Sequence, residues 1–112
     1  MASVNKLELW NGALSGDTLG TAYSLEGLQT DFVGVLNLSA LSATNVIVKI
    51  QRSPDNIVWF DWITFTTATA TGNEAKDATI PGMSWVRANF DFTGGAQTGT
   101  AVVTLHFDKK SK

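Results

Sequence analysis

The chain has 112 residues, 44% of them hydrophobic and 16% charged, which is enough apolar side chain to close one core and too little length for two. Ten acidic against eight basic residues leave a net charge of -2, so there is no positive field to gather phosphates or an anionic membrane, and neither nucleic acid nor a membrane is an expected partner. The absence of cysteine excludes disulfides and thiolate-bound metal.

No apolar stretch approaches the roughly 20 residues needed to span a bilayer. Met1 to Lys6 lacks the apolar run of a secretory signal, so the expectation is a soluble chain made in the cytosol and folded as one domain over residues 1–112. The periodicity is two almost throughout. Threonine, valine, isoleucine and the aromatics fill the ordered segments, and this predicts an all-β fold.

In chain order, the first strand is expected from Asn5 to Trp10, with Asn11-Gly12 as a tight hairpin turn and Ala13-Leu14 starting the return. Ser15-Gly16-Asp17 and Gly20 read as loop, and Ala22 to Leu25 as a short strand. Leu25 to Gln29 offers at most one turn of helix, because Gly27 weakens it. Glycines at 12, 16, 20 and 27 would let residues 1–30 form a hairpin or arm reaching onto a partner. A stronger strand follows from Asp31 to Leu38.

Val46, Val48 and Ile50 alternate with Ile47, Lys49 and Gln51, giving a strand from Asn45 to Arg52. Ser53-Pro54-Asp55-Asn56 then turns the chain into a hairpin with Ile57 to Thr66. Thr67 to Asn73 lacks large apolar anchors. A weak strand from Ala75 to Ile80 stops at Pro81-Gly82, and strands from Ser84 to Phe92 and Thr98 to Phe107 flank Thr93-Gly94-Gly95. About eight strands at this spacing predict an antiparallel β-sandwich of jelly-roll type.

Catalytic chemistry finds little to stand on. A hydrolytic triad needs a histidine held as base beside a nucleophile, and the single histidine, His106, sits in a strand between Leu105 and Phe107 with Asp108 on its own face. No acidic pair has the spacing of metal ligands in one loop, and no helix follows Gly94-Gly95 to cradle a phosphate. The expectation is a protein without enzymatic activity, cofactor or metal. Lys109, Lys110 and Lys112 read as a solubilising end.

The four tryptophans carry more information. With strict alternation, Ile57, Trp59, Asp61, Ile63 and Phe65 share one face of their strand, and Val58, Phe60, Trp62 and Thr64 the other. Both faces are apolar, so the second requires a cover: a loop, a neighbouring subunit or a ligand. Trp59 and Trp62, three residues apart, are expected on opposite sides, one core and one outer. In the strand from Ser84, the residues Val86, Ala88, Phe90 and Phe92 face the core, while Trp85, Arg87, Asn89 and Asp91 make an aromatic and polar mixture suited to an interface. Trp59, Trp62, Trp85 and Arg87 are therefore the candidate interface residues.

The segment Val48-Lys49-Ile50-Gln51-Arg52-Ser53-Pro54-Asp55-Asn56-Ile57-Val58-Trp59, the threonine-rich strand end after it, Trp85-Val86-Arg87 and Phe92-Thr93-Gly94-Gly95 resemble small virion proteins of tailed bacteriophages. That group includes head decoration or cement proteins and some tail components, and the resemblance covers Val46 to Phe107. It implies a β-sandwich that assembles as a homo-oligomer, often a trimer, on the major capsid protein lattice, located in the virion after synthesis in the host cytoplasm. It carries over no catalytic residue. Serine, aspartate and tryptophan at this spacing also occur in discoidin-like binding modules. In both groups a glycine often follows the aspartate, where this chain has Asn56. The leading expectation is a capsid decoration protein. The alternatives are a carbohydrate-binding or discoidin-like adhesion module using tryptophan platforms, or a tail-associated structural protein.

Overall fold

The computed structural model describes residues 3–25, 30–79 and 82–109, and among these the regular structure is entirely β. Nine strands form: β1 (Ser3–Ser15), β2 (Thr18–Leu19), β3 (Tyr23–Ser24), β4 (Phe32–Ser42), β5 (Asn45–Ser53), β6 (Phe60–Thr64), β7 (Gly72–Ala78), β8 (Trp85–Thr93) and β9 (Thr98–Lys109). They make two antiparallel sheets packed as a sandwich. One has the order β1-β9-β4-β7, and the other the order β2-β8-β5-β6 with β3 also paired to β8.

The core follows from alternation. Val46, Val48 and Ile50 of β5 and Val86, Ala88, Phe90 and Phe92 of β8 are buried, facing Phe32, Leu36 and Leu38 of β4 and Ala101, Val103 and Leu105 of β9. Burying a side chain such as Phe32, Phe65 or Phe90, each about 1% exposed or less, contributes roughly 1.5–3 kcal/mol. Gly34 lies on the inner face of β4 between Phe32 and Leu36, and a Cβ there would stand 3.0 Å from Ile63 Cδ1 and 3.3 Å from both Ile50 Cδ1 and Phe65 Cζ. The missing side chain is the space that these three residues of the opposite sheet fill.

Several expectations need correction. Asn11-Gly12 forms no hairpin: β1 runs through it, with Asn11 opposite Val102, Gly12 opposite Ala101 and Leu14 opposite Gly99. A continuous ladder against the long strand β9 satisfies far more backbone groups than a local turn, and so overrides the turn preference. Of residues 1–30, Ser3–Ser15 is an edge strand of the four-stranded sheet, with Leu9 and Leu14 in the core. A bulge at Leu9 turns both Leu9 and Trp10 inward, where Trp10 meets Phe90 edge-on at 5.5 Å.

The expected antiparallel sandwich of about eight strands is present with nine, the short Thr18–Leu19 also pairing with β8. The loop before it is fastened by Asp17 Oδ1, which accepts the Phe92 N–H at 2.7 Å. The strand expected from Ile57 begins at Phe60, and the one expected from Ala75 spans Gly72–Ala78. The possible helical turn over Glu26 to Gln29, the turn residue Pro81 and the end Lys110 to Lys112 lie outside the described residues.

On the side where β6 and β7 lie as the edges of their sheets, side chains do the bridging. Lys76 Nζ donates to Thr64 O at 2.7 Å, and Glu74 Oε1 accepts the Thr66 N–H at 2.9 Å. These bonds occupy edge groups that would otherwise be free to pair with another chain.

Candidate functional site

The hairpin joining β5 to β6 is built by local hydrogen bonds. Ser53 Oγ accepts the N–H groups of Asp55 at 3.3 Å and Asn56 at 2.9 Å, and Asp55 Oδ1 accepts those of Ile57 at 2.9 Å and Val58 at 3.0 Å. Asn56 takes a left-handed conformation, φ 62°, which asparagine tolerates better than most residues. The bonds from Val58 and Ile57 hold the Asp55 carboxyl below its ordinary value of 3.8. So fastened, the loop presents Ile57 at 78% and Val58 at 50% exposure, with Phe60 just beyond at 48%.

Trp62 is the extra residue of a β-bulge, which is why strict alternation fails in β6. Ile63 pairs with Ile50, yet Asp61 pairs with Gln51. Asp61, expected beside Ile63 on the inner face, is therefore turned outward. Trp62 is directed to the core, edge-on to Phe32 at 5.6 Å, and its Nε1 is buried without a hydrogen-bond partner among the described residues. A hollow of about 270 Å³ beside Trp62 is lined by Thr64, Lys76, Asp77 and Thr79, and its lysine is already engaged by Thr64 O.

The outer face of the five-stranded sheet is assembled by the same register. Arg87 of β8, Gln51 of β5 and Asp61 of β6 stand directly opposite one another in a row across three strands. Arg87 Nε donates to Gln51 Oε1 at 2.9 Å, and Gln51 Nε2 donates to Asp61 Oδ1 at 3.1 Å. Lys49 Nζ closes the row on Asp61 Oδ2 at 2.8 Å. The bond from Lys49, then that from Gln51, holds the Asp61 carboxyl below 3.8. Trp59, returning from the loop, lays its ring over Arg87 with 4.2 Å between the guanidinium carbon and the ring centroid. Ser53 pairs with Trp85 at the end of this face and is fully buried. The cover for the outer face is, in part, the hairpin loop itself.

Of the four candidate interface residues, Trp59, Trp85 and Arg87 share this outer face, and Trp62 lies on the other side of its sheet. Sequence reasoning missed the exposed Ile57, Val58 and Phe60, because it placed the first two inside a strand. The Ser53-Pro54-Asp55 pattern, whose side-chain oxygens can capture the following amides, was the available signal. The row from Lys49 to Arg87 was invisible without the bulge. His106 lies away from this face, on the four-stranded sheet, with Nε2 3.0 Å from Thr104 Oγ1. No group of three or more His, Asp or Glu side chains gathers among the described residues.

No protein-family model and no curated protein matches the chain. Among solved structures, the crystal structure of YomS, a protein derived from the SPBc2 prophage, is similar with a TM-score of 0.60 over 96% of this chain and 96% of that one. The two sequences are 12% identical, so what they share is the fold.

Proposed function

We propose that this chain is a non-enzymatic structural protein of a bacteriophage virion, acting as a capsid decoration protein that binds the head lattice through the outer face of its five-stranded sheet. The observation that carries the reading is the pairing of a fastened apolar loop, Ile57 and Val58, with the Trp59–Arg87 stack on a rigid sheet. Exposed aliphatic side chains around a tryptophan and an arginine have the composition of a contact surface, and they are held in place before any partner arrives. The shared fold with a prophage-derived protein supports a phage setting. Homo-oligomers on the lattice and a virion location, after synthesis in the host cytoplasm, belong to the same proposal.

The test is immunogold labelling of particles from the phage whose genome carries the gene. Regular labelling over the head, lost in a Trp59→Ala/Val58→Asp variant that still folds, is the expected result. Labelling confined to the tail would move the protein to the tail-associated class. Unlabelled particles would overturn the reading, and retained glycan binding by the wild type in their place would favour the adhesion alternative.

A further inference from the structure

We infer that Arg87 is a preset receptor for one carboxylate side chain, presented within apolar surroundings by a protein partner. The inference deepens the proposed contact role of this face and rests on it.

The first ground is charge. Along the row Lys49, Asp61, Gln51 and Arg87, the one carboxylate is neutralised by Lys49 at 2.8 Å, and what reaches Arg87 is the neutral amide of Gln51. Lys49 takes the Asp61 carboxylate, and among the described residues no carboxylate pairs with Arg87. Partial burial without such compensation lowers its pKa below the usual guanidinium range.

The second ground is geometry. Nε is engaged by Gln51 and one face of the guanidinium by the Trp59 ring. The plane is thereby fixed, and the two Nη groups at its far end remain to grip both oxygens of a carboxylate at once. Freezing a long side chain before binding removes much of the entropic cost of ordering it later.

The third ground is the surround. The exposed Ile57 and Val58 immediately precede Trp59, whose ring stacks on Arg87, and Trp85 lies two residues from Arg87 on the same face. A partner covering them would exclude water from the ion pair and strengthen it. A single uncompensated cation in an apolar rim fits one carboxylate, not the regular phosphates of a nucleic acid, which call for several cations along a track.

Two experiments test this. In the first, the Arg87 Nε–H and Trp59 indole resonances are followed while the capped tripeptides acetyl-Leu-Glu-Leu-amide and acetyl-Leu-Gln-Leu-amide are added. A saturable shift with the glutamate peptide is expected, at least tenfold weaker with the glutamine peptide and absent in Arg87→Lys, which keeps the charge but loses the fork. Lys6→Gln, a change on the other sheet, should leave binding within twofold. Equal responses to both peptides, no response to either, or a stronger response to glucuronic acid overturns the inference. In the second, purified protein is added to phage particles assembled without it. Arg87→Lys is expected to bind at least tenfold more weakly than wild type. Equal binding of the two overturns the inference while leaving the decoration reading intact. Failure of the wild type to bind removes the decoration reading, and the peptide titration then decides the inference by itself.

Discussion

The guanidinium carbon of Arg87 lies 4.2 Å from the centroid of the Trp59 ring, joining the hairpin loop to the outer face of strand β8. The stack is partly open to solvent, so its contribution is modest. A double-mutant cycle with Trp59→Ala and Arg87→Ala, followed by urea denaturation, should give a coupling energy of about 0.5–1 kcal/mol. Strict additivity would mean that the two side chains merely lie near each other.

Trp62 faces the other way, against Phe32 and the core. Trp62→Ala should destabilise the fold by about 3 kcal/mol, as expected for removing a large packed aromatic. Trp59→Ala should cost less than about 1 kcal/mol, the loss of a half-buried stack. Because the Trp62 indole N–H has no partner among the described residues, Trp62→Phe forfeits no hydrogen bond and should cost under about 1.5 kcal/mol. Thermal and urea unfolding of the three variants check this ordering, and a Trp59→Ala loss as large as that of Trp62→Ala would contradict it.

Gly34 is a packing glycine. Any Cβ at this position presses on Ile63, Ile50 and Phe65 of the opposite sheet, so Gly34→Ala should destabilise by about 1–3 kcal/mol and Gly34→Val by more. Adding Ile63→Val to Gly34→Ala removes the methyl group nearest the new Cβ and should restore part of the loss. Calorimetric melting temperatures of the single and double variants provide the measurement.

Asp55 and Asp61 set the acid response of the loop. Each has a folded pKa below its unfolded value of 3.8, by backbone bonds from Val58 and Ile57 in the first case and side-chain bonds from Lys49 and Gln51 in the second. A depressed carboxylate stabilises the fold above its unfolded pKa, and that contribution is lost as the pH falls through the folded pKa. The amide resonances of Ile57 and Val58 should therefore hold steady from neutrality and shift with a midpoint below 3.8. Asp55→Asn should abolish that titration. A midpoint at or above 3.8 would show that the carboxylate is not engaged by these amides.

Much of this molecule is decided locally, because the period of two and the identity of turn residues are properties of neighbouring positions. The core faces of β5 and β8, the hairpin after Ser53 and the sandwich class all follow from alternation with Ser-Pro-Asp-Asn chemistry, and the structure has them. The outward set Trp85 and Arg87 is legible for the same reason. Other features depend on partners far along the chain. Asn11-Gly12 is extended because β9, some ninety positions later, offers a full ladder. The bulge at Trp62 arises from the pairing of β6 with β5, and one extra residue there turns Asp61 outward and Trp62 inward. Only that register sets Asp61, Gln51 and Arg87 in one row beneath the reach of Trp59, so the candidate site is a product of strand pairing that no window of sequence contains.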